Sequence, residues 1–256
     1  MNPEKLPITS PLINGHHDIL ENFSDLVSIK GKRCLCIGYD ENQLKDYILK
    51  YSPRSVVLLT LWDDHKDSNI DGFKVVIGDI GKRTSFKDNY FDFVITFSVL
   101  EHISDLESAF IEIKRILKPQ GYFASLFGPA WSCSVGHHFY ANPGNPLFDF
   151  CQWSMPSHIH LLASVDEIFE YYRSKGATEA ECATVEEWFF KTDIINRVFF
   201  EDYIKLFYEH FYFVASLAMY SDIDPEVLSI LREKYPQYTD FSTYGGSFLL
   251  KNLKNS

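Results

Sequence analysis

Residues 89–127, NYFDFVITFSVLEHISDLESAFIEIKRILKPQGYFASLF, decide the fold. Phe91–Phe97 is a near-continuous apolar run, the pattern of a strand buried on both faces. Ser104 and Glu107 have capping-box spacing, in which each side chain satisfies a backbone N–H of the first helical turn. Leu106, Phe110, Ile113 and Leu117 then supply an apolar stripe at helical spacing. Pro119 and Gly121 stop the helix, and Tyr122–Phe127 is a strand again. A helix between two buried strands is the crossover of a parallel pair, so this stretch predicts a sheet with helices on its faces.

The alternation continues upstream. Arg33–Ile37 (RCLCI) ends at Gly38, and Leu44, Tyr47, Ile48 and Tyr51 mark one face of a helix that Pro53 closes. Ser55–Leu61 and Phe73–Ile77 are two more buried strands. Cys34 and Cys36 alternate within an apolar run and read as small buried hydrophobes. Downstream, residues 128–163 are rich in Gly, Pro, aromatics and His and read as a long loop, a length that usually signals function. Ser164 and Glu167 make a second capping box, followed by Val165, Ile168, Phe169 and Tyr172. Thr178–Val185 reads as a sixth strand, and Glu186–Tyr235 as an aromatic-rich helical stretch with Pro225 at a helix start. Gly245–Lys251 is a last strand.

Composition narrows the function. The chain has 256 residues, with 24 Lys+Arg against 35 Asp+Glu and a net charge of −11. That balance opposes nucleic acid or an anionic membrane surface, both of which need clustered basic residues, and favours a small-molecule substrate or a protein partner. The opening MNPEKLPITSPLINGHH contains no apolar core of signal-peptide length. Phe211–Tyr220, interrupted by Ser216, is well short of the roughly 20 residues of a membrane span. The five cysteines include no CxxC pair, so zinc-ribbon and thioredoxin-like readings fall away, and the expected location is the cytoplasm.

In an open parallel sheet, ligands bind beyond the carboxyl ends of the strands. The residues placed there are Gly38–Asn42, Thr60–Asp64, Asp79–Ile80, Ser98–His102 and Gly128–Trp131. Gly78-Asp79-Ile80, NYFDFVITFSVLEHI at 89–103 and ILKPQGYFASLFGP at 116–129 together resemble the class I S-adenosylmethionine-dependent methyltransferases, over roughly residues 30–130. The resemblance implies a doubly wound α/β fold with a mostly parallel seven-stranded sheet and S-adenosyl-L-methionine as cofactor. It assigns cofactor contacts to Gly38 and Asp79, the latter accepting from the adenine amino group, and further to Asp40, Thr60, Ile80 and Ser98. Two departures stand out. The loop Gly38-Tyr39-Asp40-Glu41-Asn42 has one glycine where the family has a G-x-G type turn, and Thr60 replaces the acidic residue that binds the ribose, with Asp63 and Asp64 farther on. The expected division is an N-terminal segment 1–29, a cofactor-binding core 30–185 with an active-site loop 128–163, a helical insertion or lid 186–244, and a last strand and tail 245–256.

Methyl transfer to a hydroxyl needs a base, and histidine, with a pKa of about 6.5, suits it. Four of the nine histidines lie in the long loop: His137, His138, His158 and His160. His138 is the expected base, assisted by the other three; His158 and His160 would share a face if their segment is extended. Ser98-Val99-Leu100-Glu101-His102 is similar to the E-x-x-E-H segment of quinone-pathway and small-RNA O-methyltransferases, with Ser98 in place of the first ligand. That implies a divalent metal (Mn, Fe or Mg) on Glu101, His102 and His138; the same Leu-Glu-His also occurs in metal-free members. His16-His17 would belong to a segment over the cofactor or to an exposed tail, and Trp188–Tyr220 to a packed insertion, a lid or a homodimer interface. The long loop resembles methyltransferases of bacterial surface-polysaccharide clusters, which implies O-methylation of a nucleotide-linked sugar or other capsule precursor. The alternatives are an N-methyltransferase or quinone-type O-methyltransferase, and a non-catalytic module that has lost its cofactor.

Overall fold

The apolar runs of the first half become strands. The computed structural model describes residues 1–13, 18–38, 47–61, 69–70 and 73–254. Its strands are β1 (Arg33–Ile37), β2 (Ser55–Thr60), β3 (Asn69–Ile70), β4 (Phe73–Ile77), β5 (Phe91–Phe97), β6 (Leu117–Phe127), β7 (Tyr212–Tyr220) and β8 (Thr243–Lys251). They form one sheet in the order β3-β4-β2-β1-β5-β6-β8-β7. β4, β2, β1, β5 and β6 pair in parallel, and β8 joins β6 antiparallel, Ala124 facing Leu249. Seven strands make the expected methyltransferase-type sheet, and β3 is a two-residue antiparallel addition at the β4 edge.

The helices are α1 (Ile19–Asn22), α2 (Leu106–Ile116), α3 (Ile159–Leu162), α4 (Val165–Ser174), α5 (Glu179–Glu186), α6 (Phe200–His210) and α7 (Pro225–Lys234). The chain divides into two compact units. A sheet unit comprises His16–Phe127, Ile204–Leu217 and Gly246–Ser256, and a second unit comprises Met1–Gly15, Gly128–Tyr203 and Ala218–Gly245.

One core of the sheet unit gathers Cys34, Cys36, Val56, Leu58, Phe93 and Ile95, the alternate residues of β1, β2 and β5. A second group is aromatic: Phe110 of α2 lies 5.4 Å from Phe207 of α6 and 6.0 Å from Phe123 of β6, ring centre to ring centre. Each such ring, fully buried, contributes about 1.5–3 kcal/mol, and truncating Phe110 to Ala would cost about 3–5 kcal/mol. The second unit has its own core, built on Phe139, Tyr172, Val185, Phe189, Leu231 and Phe241.

Several local expectations are corrected. The N-cap of α2 is Asp105, not Ser104: its carboxylate accepts from the Ser108 N–H at 2.9 Å. Both residue types cap well, and here the aspartate, one residue later, takes the role. Thr178–Val185 is not a strand. Thr178 and Glu181 close a capping box that starts α5. The stretch 186–235 is not helical throughout, because Tyr212–Tyr220 is β7, next to β8 in the sheet. The segment around His158 and His160 is not extended; it forms α3, with His158 as N-cap at φ 55°. Other signals are observed as read: the Ser164–Glu167 capping box on α4 and Pro225 opening α7 behind its Asp224 cap. The helix expected around Leu44 lies mostly outside the described residues; its end is a 3-10 turn, Leu49–Tyr51, closed by Ser52 at φ 55°.

Candidate active site

β1 is flanked by β2 and β5. The chain builds outward through β2 and β4 on one side, then crosses to build β5 and β6 on the other. Between β1 and β5 the strand order switches, which is where open parallel sheets bind ligands. A cavity of about 600 Å³ opens at this carboxyl edge. Its lining comes from four strand ends: Ile37 of β1 and Gly38 after it, Leu59 and Thr60 of β2 and Leu61 after it, Gly78–Lys82 after β4, and Ser98, Val99 and His102–Asp105 after β5. That volume is in the range of small-molecule sites, roughly 300–1,000 Å³.

Gly38 is required here for two reasons. Its φ is +85°, which side chains rarely adopt, and a Cβ would lie 1.8 Å from Val99 Cγ2 and 2.8 Å from the Phe97 carbonyl oxygen. The end of β1 therefore passes flush against the turn after β5. Ser98 makes that turn at φ 46°, its N–H donating to the Leu126 carbonyl at 2.8 Å.

Asp79 is anchored through one oxygen. Oδ1 accepts from the Gly81 N–H at 2.8 Å, while Oδ2 stands 3.4 Å from Lys82 Nζ, with 38% of the side chain exposed. The Gly78 N–H donates to the Thr60 carbonyl at 2.9 Å, so the ends of β4 and β2 are tied together. Asp105 adds a second carboxylate to the lining. Hydrogen bonds from the Ser108 hydroxyl (2.6 Å) and N–H (2.9 Å) hold it below the usual carboxylate range, so it is ionised at neutral pH. Two carboxylates thus share the cavity with apolar walls from Leu59, Ile80, Val99 and Ile103.

Of the sequence-predicted cofactor contacts, Gly38, Thr60, Asp79, Ile80 and Ser98 all line this one cavity. Asp40, with Asp63, Asp64, His16 and His17, lies outside the described residues. Lys82, Ile103 and Asp105 line it too and were missed. For Asp105 the signal was the spacing Asp105–Ser108 immediately before the α2 stripe.

The loop histidines belong to the second unit, and three of them are deeply buried. His158 Nε2 is 2.8 Å from the Phe241 carbonyl, which only accepts, so Nε2 carries the proton; Nδ1 then accepts from the Ser157 hydroxyl at 2.8 Å. His160 Nε2 likewise donates to the Trp131 carbonyl at 2.8 Å. Burial pulls the His158 pKa down to about 4 and that of His160 to about 3. His137 stacks on Phe189 at 4.5 Å, its Nδ1 accepts from the Phe139 N–H at 3.1 Å, and burial drives its pKa well down. These three imidazoles are neutral and engaged in the fold. His138 is half-buried, at φ 52°, with its ring edge-on to Phe150 at 4.6 Å.

For the metal reading, Glu101 is fully buried, His102 is exposed at the cavity, and His138 belongs to the other unit. Among the described residues, the group that gathers three metal-type donor atoms within 4.8 Å of one another is Glu107, Glu209 and His210 instead. Nothing here supports a metal on Glu101, His102 and His138.

Residues 26–125 match the family model described as "Methyltransferase domain". No curated protein sequence matches the chain. Among solved structures it is similar to an S-adenosylmethionine-dependent methyltransferase from Mesorhizobium loti, at 11% identity and TM-score 0.52, covering 92% of this chain and 98% of that one. It is also similar to geranyl diphosphate C-methyltransferase from Streptomyces coelicolor A3(2), solved with Mg²⁺, geranyl diphosphate and S-adenosyl-L-homocysteine, at 12% identity and TM-score 0.51, covering 91% and 77%. At such identities the likeness establishes the fold. The matched segment spans β1 through most of β6, the strands whose ends form the cavity.

Proposed function

We propose that this chain is an S-adenosylmethionine-dependent methyltransferase that holds the cofactor in the cavity at the ends of β1, β2, β4 and β5 and methylates a hydroxyl of a small polar substrate. The observation that carries the reading is the Gly38–Val99 contact, because it brings bare backbone to the cavity at the switch in strand order. Asp79 would accept from the adenine amino group, with Gly81 fixing its carboxylate. Ile80, Val99 and Ile103 would enclose the ring, and Asp105 would supply negative charge near a cationic cofactor. When bound, the cofactor supplies an electrophilic methyl group and a neutral thioether leaving group.

The chain's remaining task is to orient the acceptor and take its proton. His102 is the described histidine that lines the cavity, and it is exposed. We assign it the first claim to that proton. His138 is the second reading, favoured over its loop neighbours because it alone of the four is not deeply buried.

Calorimetric titration with S-adenosyl-L-homocysteine tests the cofactor assignment. Micromolar 1:1 binding is expected, weakened at least tenfold in Asp79→Ala. Absence of binding would favour the non-catalytic module. In a turnover assay with a hydroxyl acceptor, His102→Ala should lower kcat at unchanged cofactor affinity. If His138→Ala has that effect instead, the base belongs to the long loop.

A further inference from the structure

We propose that Glu107, Glu209 and His210 bind a first-row divalent transition metal ion, of which zinc is the working probe. Glu107 lies in the first turn of α2, and Glu209 and His210 are the last two residues of α6. All three residues belong to the sheet unit, and one donor atom from each lies within 4.8 Å of the other two. Zinc bonds to imidazole nitrogen and carboxylate oxygen measure about 2.0–2.2 Å. Two such bonds at tetrahedral or octahedral angles set neighbouring donors about 3–3.5 Å apart, so the cluster needs only small side-chain adjustments to close on an ion.

His210 supplies the second observation. Its Nε2 has no solvent access and no hydrogen-bond partner, although Glu107 Oε1 is 2.9 Å away. A dication held between the ring nitrogen and that carboxylate would satisfy both. The ring is held in place by Phe110, edge-on at 6.0 Å, and by Phe211 at 6.3 Å. The side chain is 11% exposed. Such a donor is preorganised. The two carboxylates are about half exposed, so water would complete the coordination. Lys205, 4.0 Å from Glu209, is a loose ion pair at 72% exposure and yields readily to a dication.

The donor set chooses the metal class. One imidazole with two carboxylates suits Zn²⁺, Co²⁺ or Mn²⁺, whereas Mg²⁺ prefers oxygen ligands and keeps its waters. The closing carbonyls of α6 add partial negative charge at the same end. A bound ion would strap the end of α6, just before β7, to the start of α2, where Asp105 lines the cofactor cavity two residues before Glu107. This site is separate from the Glu101–His102 segment and independent of the proposed catalysis.

Titrating the full chain with ZnCl₂ at pH 7.5, by calorimetry and by thermal unfolding, tests it. We expect one site with Kd on the order of 10 μM and a raised unfolding temperature. His210→Ala and Glu209→Gln should each weaken binding at least tenfold, and Mg²⁺ should not compete. Glu209→Gln changes an exposed side chain and keeps the test valid should His210→Ala fold poorly. No zinc uptake by the wild type overturns the proposal. So does wild-type affinity in Glu209→Gln, which would place the ion on other histidines or cysteines, or equal binding of Mg²⁺.

Discussion

Two regions of this chain looked chemically rich in sequence, and the structure treats them in opposite ways. The carboxyl edge of the sheet carries few polar residues, yet Gly38, Asp79, Ser98, His102 and Asp105 all line one open cavity. The loop 128–163 carries four histidines, yet His137, His158 and His160 are buried and bonded to their own backbone surroundings. Burial makes the difference. An imidazole whose Nε2 donates to a buried carbonyl is a structural hydrogen-bond donor, held neutral by desolvation, whereas a half-exposed carboxylate at a strand end stays available to a ligand. Motif density alone does not separate a buried, bonded ring from a group that reaches a cavity.

The contrast breaks first under acid. The folded-state pKa values of His158 and His160, about 4 and about 3, lie below the ordinary histidine value of about 6.5. The unfolded chain therefore binds more protons below pH 6.5, and stability falls as pH drops toward 4. At pH 5 the loss for the pair should be on the order of 4 kcal/mol, read from urea unfolding at pH 7 and pH 5. A flat profile across that range would mean these rings are not held neutral.

Removing one of them sharpens the same point. His158→Ala strips partners from the Phe241 carbonyl and the Ser157 hydroxyl. Stability should fall by about 3 kcal/mol, while cofactor affinity measured on the folded fraction stays unchanged. Gly38→Ala should do the reverse at the other region. Its Cβ would meet Val99 Cγ2 at 1.8 Å, and cofactor affinity should drop about a hundredfold, roughly 2.7 kcal/mol, with circular dichroism confirming the fold. The smallest effect belongs to Asp105→Ala. Loss of the α2 cap should cost about 1 kcal/mol in thermal unfolding, with a modest loss of cofactor affinity.

Much of the sheet was readable because strands covered on both faces carry unbroken apolar runs, as Cys34–Ile37 and Phe91–Phe97 do. β7 was hidden for a different reason: Tyr212–Tyr220 is an edge strand, mostly half or fully exposed, yet apolar without alternation, and periodicity cannot separate such a run from a helix. For α5 the signal existed, since Thr178 and Glu181 have capping-box spacing, but the residues between were read as strand-forming. The glycine and aspartate of the cavity were legible because strand ends fix their position. The fate of the histidines was not, because whether a ring meets a carbonyl or solvent depends on contacts such as His158 with Phe241, 83 residues away. The Glu107–His210 approach is likewise invisible in sequence, since it joins helices about a hundred residues apart.

The central claim, that the cofactor sits at the ends of β1, β2, β4 and β5, is tested most directly by calorimetry with S-adenosyl-L-homocysteine on the wild type and Asp79→Ala. The expected result is micromolar 1:1 binding that Asp79→Ala weakens at least tenfold. No binding to the wild type, or equal binding to both, would contradict it.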